Sequence, residues 1–113
     1  MQVKQKEKDG VVICNISGEI NIDNADDLQK IFKKIILDKA RKVLLDFKSL
    51  DYIDSAGFAC LIQFSRELKE ADAVLFLSGL SPKVGSLFAI TKLENAFKIY
   101  DTEEDALQDS CGY

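Results

Sequence analysis

The sequence predicts an α/β fold: one domain, residues 1–113, with a mixed, mostly parallel sheet of four to five strands and about four helices. Short, nearly continuous apolar runs alternate with segments whose apolar residues recur at helical spacing, the pattern of parallel strands joined by helices. The length of 113 residues leaves room for one domain and no second one. A composition of 47% hydrophobic and 30% charged residues is typical of an ordered globular protein.

The first half of the chain is predicted to form a hairpin, a helix and a central strand. Residues 11–16 are rich in β-branched side chains and follow an Asp-Gly turn pair, so a weak strand at 2–6 forms an antiparallel hairpin with them. Apolar residues at helical spacing predict a helix over 24–39. Residues 43–47 are nearly all apolar, as expected of a parallel strand that is buried on both faces.

The second half repeats the alternation of helix and strand. A broad apolar face predicts a helix over Ser55–Glu70, and residues 73–77 form a second buried strand. Ser81 and the proline after it open a third helix that ends near residue 90. Residues 97–100 are a short last strand, a capping-box pattern at Thr102 starts a helix through Gln108, and the tail 109–113 frays.

Charge and residue usage exclude several classes of function. The net charge of −4 does not provide the basic surface that binds nucleic acid. The absence of histidine removes the usual general base and metal ligand, so we predict no cofactor and no metal site. Cys14, Cys60 and Cys111 match neither a disulfide framework nor a zinc site and indicate a reducing, cytoplasmic compartment. No apolar run is long enough for a membrane span.

Two segments that follow predicted strands, 17–23 and 51–57, are the candidate sites, because ligands of α/β sheets bind beyond the carboxyl ends of strands. In the second segment the Ser55 hydroxyl stands at a predicted helix start, where backbone N–H groups favour a phosphate. The residues alone leave open that Ser55 only caps the helix. They also leave open whether Asp51 and Asp54 are general acid and base, metal ligands, or turn and cap residues.

Four segments, taken in order along the chain, resemble the signatures of the STAS family, the domain of bacterial anti-sigma factor antagonists. The resemblance covers nearly the whole chain, and the Asp-Ser-Ala-Gly match at 54–57 is the most specific. It implies a regulatory binding protein and not an enzyme. The four segments are Gly18-Glu19-Ile20, Leu45-Asp46-Phe47, Ile53-Asp54-Ser55-Ala56-Gly57-Phe58 and Leu80-Ser81-Pro82-Lys83-Val84.

The resemblance also implies a partner and a switch. Ser55 matches the serine that the family's partner, an anti-sigma factor serine kinase, phosphorylates. The unphosphorylated antagonist binds that kinase and frees the sigma factor, and phosphorylation ends the binding. Asp54 matches the residue that positions and electrostatically tunes this site. Gly57 matches the glycine that lets the helix start pack close to the neighbouring loop.

The remaining predicted site residues surround Ser55. Asn21 stands where the family usually has an aspartate, and Asp23 lies in the same segment. Tyr52 and Phe58 flank the serine and are candidate apolar anchors of the partner interface. For Phe58 the alternative is that its ring faces the core.

Two other classes of function remain open at this point. One is a non-switching STAS scaffold subunit of a sensory or lipid-transport assembly, in which Ser55 is only a cap. The other is an enzyme that acts through Ser55 or the carboxylates. An enzyme would need a base and an oxyanion site, and without histidine only lysine or aspartate could supply the base. We therefore expect no enzymatic activity.

Overall fold

The computed structural model describes residues 1–93 and 95–112 and confirms the α/β class. Within those residues, six strands and four helices follow one another along the chain. The strands are β1 (Gln2–Lys8), β2 (Val11–Ile20), β3 (Lys42–Asp46), β4 (Leu50–Ile53), β5 (Val74–Ser78) and β6 (Lys98–Tyr100). The helices are α1 (Ala25–Leu37), α2 (Ser55–Glu70), α3 (Pro82–Ile90) and α4 (Glu103–Ser110).

β1 and β2 form the predicted antiparallel hairpin. Asp9 and Gly10, at φ of 54° and 78°, are both left-handed, as a two-residue type I′ turn requires. β2 is four residues longer than predicted, and its first half pairs in parallel with β3.

β4 was not predicted: residues 51–53, interpreted as a loop, belong to it. It pairs in parallel with the last three residues of β2, which were also interpreted as a loop. The register of this pairing shifts between Gly18 and Glu19, and Gly18 has a φ of 85°, which glycine adopts without strain. β2 therefore pairs first with β3 and then with β4, and the loop before α1 shrinks to residues 21–24.

The sheet has the order β1-β2-β3-β5-β6, with β4 beside the end of β2. The main core lies on the face covered by α1, α2 and α3. On the opposite face, Ala106 of α4 packs on a smaller cluster formed by Val11, Ile13, Leu44 and Phe76. The carboxyl ends of the parallel strands share one edge of the sheet, and the candidate site lies at that edge.

The helix ends agree closely with the sequence. α2 and α3 have the predicted bounds, and the Ser81 hydroxyl accepts the cap hydrogen bond from the Val84 N–H at 3.2 Å. Thr102 caps α4 as predicted, but α4 ends at Ser110, which is buried, and not at Gln108. Of the tail predicted to fray, Tyr113 lies outside the described residues. In the described part of the chain no helix has the length and apolar character needed to cross a bilayer.

Candidate functional site

Ser55 is the first residue of α2, and its side chain is exposed. The residue before it, Asp54, is the N-cap: its Oδ1 accepts a hydrogen bond from the Gly57 N–H at 3.0 Å. The cap is therefore supplied by Asp54 and not by Ser55. The serine hydroxyl lies at the positive end of the helix dipole, where a phosphate is electrostatically favoured.

The Asp54 carboxylate also reaches a second segment of the chain. Its Oδ2 accepts a hydrogen bond from the Ile22 N–H at 3.0 Å, and the Asp54 N–H donates to the Ile20 carbonyl at 3.0 Å. One carboxylate thus joins the loop that precedes α1 to the first turn of α2. We call this pair of hydrogen bonds, from Gly57 and Ile22 to the Asp54 carboxylate, the Asp54 bridge.

The loop 21–24 is also held by hydrogen bonds of its own. The Asn21 Oδ1 accepts from the Asp23 N–H at 2.9 Å, which forms an Asx turn. The Asn24 side chain accepts from the Asn21 N–H at 3.0 Å and donates to the Glu19 carbonyl at 2.9 Å. Asn21 therefore shapes the loop, and Asp23 lies exposed on it.

Ile22, at the centre of this loop, was not among the predicted site residues. Its side chain is 75% exposed, although isoleucine is among the residues most often buried. The available signal was an isoleucine isolated between Asn21 and Asp23, which neither helical nor strand periodicity explains. Because the Asp54 bridge holds its backbone, Ile22 lies at the same edge of the sheet as Ser55.

Gly57 lets the first turn of α2 approach the ends of two strands. A Cβ at this position would lie 2.6 Å from the Ile53 Cγ1 and 2.7 Å from the Ile20 Cγ2. Both atoms belong to stiff, β-branched side chains in the core, so neither can move away easily. The glycine therefore packs against residues of β2 and β4, and not against a neighbouring loop as expected. This contact fixes the distance between the start of α2, where Ser55 lies, and the sheet.

The two candidate apolar anchors differ in position. Phe58 is 6% exposed and makes an edge-to-face contact with Phe88, so of the two alternatives its ring faces the core. It is not available as a surface anchor, because the broad apolar face of α2 turns this position inward. Tyr52 is half-buried on β4, and the Lys83 ammonium lies 5.4 Å from the centre of its ring.

Neither the acidic residues nor the cysteines form a reactive centre. Residues 1–93 and 95–112 contain no cluster of three or more side chains able to ligate a metal ion. Burial raises the pKa of the Cys14 thiol to about 12 and also raises that of Cys60, whereas a nucleophilic cysteine needs a lowered pKa. Cys111 is exposed in the tail, away from the site. At the site itself, the exposed Ser55 hydroxyl stands at a helix start beside a carboxylate that already accepts two hydrogen bonds.

The comparison with known families decides the identity of the fold. The family model of the STAS domain matches residues 2–106. The chain belongs to the STAS domain family. This confirms the resemblance inferred from the four sequence segments.

Several relatives of this chain are named as anti-sigma factor antagonists. BtrV of Bordetella bronchiseptica, a protein assigned as an anti-sigma factor antagonist, is 29% identical over 94% of this chain and 91% of its own length. A Thermotoga maritima protein with the same assignment has a crystal structure that matches with a TM-score of 0.89 and 26% identity, covering 95% of this chain and 92% of the other. The unphosphorylated form of the anti-sigma factor antagonist SpoIIAA matches with a TM-score of 0.77 and 20% identity over 99% of this chain and 100% of the other, which supports the fold.

Proposed function

We propose that this chain is an anti-sigma factor antagonist whose affinity for its partner is set by phosphorylation of Ser55. The observation that carries the proposal is that two different residues cap α2 and expose a hydroxyl at its start. Asp54 caps the helix, and the exposed Ser55 beside it has no part in the cap. A serine so placed can be modified at little cost to the fold. The names of the relatives, BtrV among them, support the choice of partner class.

The proposed partner is an anti-sigma factor that is also a serine kinase. In its unphosphorylated form the antagonist binds this partner, and the sigma factor is released. The partner then transfers the γ-phosphoryl group of ATP to the Ser55 Oγ, ADP leaves, and the hydroxyl proton is lost. We place these steps in the cytoplasm, where sigma factors act.

The switch acts through charge and needs no refolding. A phosphate adds about −1.5 to −2 charge, which changes the formal net charge from −4 to about −6. The added charge lies at an edge that already carries Asp51, Asp54 and Asp23. Like charges brought together at an interface cost several kcal/mol, and about 3 kcal/mol corresponds to a hundredfold loss of affinity.

Ile22 replaces Phe58 as the proposed apolar anchor of the interface. Its side chain is exposed beside the phosphorylation site, while Phe58 is buried. The backbone of Ile22 is already held by Asp54, so little conformational freedom is lost when a partner covers it. Tyr52, half-buried with the Lys83 ammonium 5.4 Å from the centre of its ring, remains a second candidate contact for the partner.

The scaffold alternative predicts a structural role for Ser55, and the capping geometry argues against it. A serine kept only as a cap would accept a hydrogen bond from the first turn of α2, and here Asp54 does so. An enzymatic role lacks the usual base, histidine, and the Asp54 carboxylate beside Ser55 already accepts hydrogen bonds from the Gly57 and Ile22 N–H groups. We therefore propose a binding protein and not an enzyme.

The proposal is tested by incubating the chain with ATP and the anti-sigma kinase of its own bacterium and mapping the phosphate by mass spectrometry. We expect one phosphate, on Ser55, and none in Ser55→Ala. Ser49→Ala is the matched control, because Ser49 is also an exposed serine but lies in the turn between β3 and β4. Phosphate on Ser49, Ser65 or Ser81 with none on Ser55 would contradict the proposal.

A further inference from the structure

The Asp54 carboxylate has two separate tasks, one for each oxygen. Oδ1 holds the Gly57 N–H in the first turn of α2, and Oδ2 holds the Ile22 N–H. The other side-chain hydrogen bonds of the loop 21–24 stay within the loop or reach back to the Glu19 carbonyl. Among residues 1–93 and 95–112, the Asp54 carboxylate is therefore the side chain that ties this loop to α2.

We infer that phosphorylation of Ser55 breaks the hydrogen bond between Asp54 and Ile22 and so loosens the exposed isoleucine beside the phosphorylation site. The inference rests on the proposed function, because it takes Ser55 as the phosphorylated residue. It adds a second element to the switch: besides its charge, the phosphate changes the presentation of an apolar side chain.

The physical reason is competition between two anions for one helix end. Ser55 directly follows Asp54 and starts α2, so its phosphate is attached next to the carboxylate at the same helix end. The three phosphate oxygens are strong acceptors, and their charge repels the carboxylate. If the Asp54 side chain rotates away from the phosphate, Oδ2 moves away from the Ile22 N–H, because both oxygens belong to the same planar carboxylate.

Backbone hydrogen bonds from the Asn24 and Ala25 N–H groups to the Asn21 carbonyl, at 3.1 and 2.9 Å, keep the ends of the loop in place, so the movement is limited to Ile22 itself. Ile22 lies between the Asx turn of Asn21 and the anchoring side chain of Asn24, and its own side chain, 75% exposed, has few packing contacts to hold it. The backbone bond from the Asp54 N–H to the Ile20 carbonyl survives rotation of the side chain. The change is thus confined to the loop and leaves the sheet intact.

The test measures amide hydrogen exchange by NMR in chains carrying either serine or phosphoserine at position 55. Phosphoserine is incorporated during translation, so the result does not depend on any kinase. We expect the Ile22 amide to exchange about tenfold faster in the phosphoserine chain, the factor that corresponds to one hydrogen bond of ordinary net strength. The internal control is the Lys48 N–H, which another aspartate, Asp46, holds at 2.9 Å.

The variant Asp54→Ala tests whether loss of the Asp54 bridge causes the faster exchange. In Asp54→Ala the bridge is absent, so the Ile22 amide exchanges fast with serine at position 55, and phosphoserine adds no further increase. An Ile22 exchange rate that stays within about twofold between the serine and phosphoserine chains would overturn the inference. So would an equal rise in the Lys48 rate. Failure of a kinase to modify Ser55 would contradict the proposed function alone, since this experiment bypasses it.

Discussion

Two aspartates, Asp46 at the end of β3 and Asp54 directly after β4, each accept two hydrogen bonds but have different roles. Asp46 binds the Lys48 N–H at 2.9 Å and the Asn15 Nδ2 at 2.9 Å, and only 5% of its surface is exposed. Asp54 binds two backbone N–H groups but is half-buried at the surface. Two hydrogen bonds to a carboxylate thus fix the turn after β3 at Asp46 and, at Asp54, join two segments beside the proposed phosphorylation site.

Burial also shifts the pKa of Asp46. Loss of solvent raises the pKa of the Asp46 carboxyl, and the nearby Glu103 carboxyl raises it further, while the Lys48 N–H and ammonium oppose the rise. Glu103 in turn forms an ion pair with Lys6 of β1 at 3.2 Å. The Asp46 region is thus a buried polar junction of β1, β3 and α4, where changes affect stability.

The first prediction compares alanine at the two aspartates. Asp46→Ala leaves two partly buried donors, the Lys48 N–H and the Asn15 side chain, without an acceptor, so we expect it to lower the free energy of unfolding by about 2 kcal/mol. Asp54→Ala removes an N-cap and should cost about 1 kcal/mol. Chemical denaturation of both variants measures the difference. Equal losses would show that the comparison between a structural and a surface aspartate is wrong.

The second prediction compares the two helix glycines. Gly57→Ala forces a methyl group against Ile20 and Ile53, and we expect a loss of about 1–3 kcal/mol. Gly85 lies within α3, and a Cβ added there would point into open space, so Gly85→Ala should stabilise the fold by about 0.5–1 kcal/mol. Thermal unfolding of both variants gives the answer. A neutral Gly57→Ala would mean that α2 need not lie so close to the strands.

The third prediction compares two equally exposed isoleucines. Ile22 is 75% and Ile90 76% exposed, but only Ile22 lies at the Ser55 edge. Ile22→Ala should weaken binding of the anti-sigma partner by about tenfold, as expected of an interface residue that costs more than about 1 kcal/mol on truncation. Ile90→Ala should leave the affinity unchanged. Affinities measured by surface plasmon resonance test this, and equal losses in the two variants would remove Ile22 from the interface.

The fourth prediction concerns pH. Because the folded-state pKa of Asp46 is raised, its contribution to stability is fully present below the ordinary carboxyl pKa of about 3.9 and is lost as the pH rises through the raised value. Asp46→Asn keeps an oxygen for the Lys48 N–H and removes this titration. The variant should therefore gain stability relative to the wild type as the pH rises from about 4 through the raised pKa of Asp46. Parallel stability curves over this range would contradict the assignment.

The sequence predicted local features well and long-range contacts poorly. The bounds of α2 and α3 follow from Ser55, the Ser81-Pro82 pair and helical periodicity, which all act within a few residues. β4 was missed because it is short and half polar, and because it pairs with β2 across a shift in register that local pattern does not encode.

The site was predicted in its residues but not in its contacts. Asp54, Ser55 and Gly57 come from one motif, whereas the bond from Ile22 to Asp54 joins residues 32 positions apart and exists only because β4 pairs with the end of β2. The sequence also could not predict that the Phe58 ring faces the core, because a broad apolar helix face does not show which residues at its margin are buried.

The most direct test of the proposed switch is titration calorimetry of the anti-sigma partner with three forms of the chain: wild type, Ser55→Ala and the form phosphorylated on Ser55. We predict that Ser55→Ala binds as tightly as the wild type and is not released by ATP, because Asp54 still caps α2. The phosphorylated form should bind about a hundredfold more weakly. Equal affinities for the three forms would contradict the account.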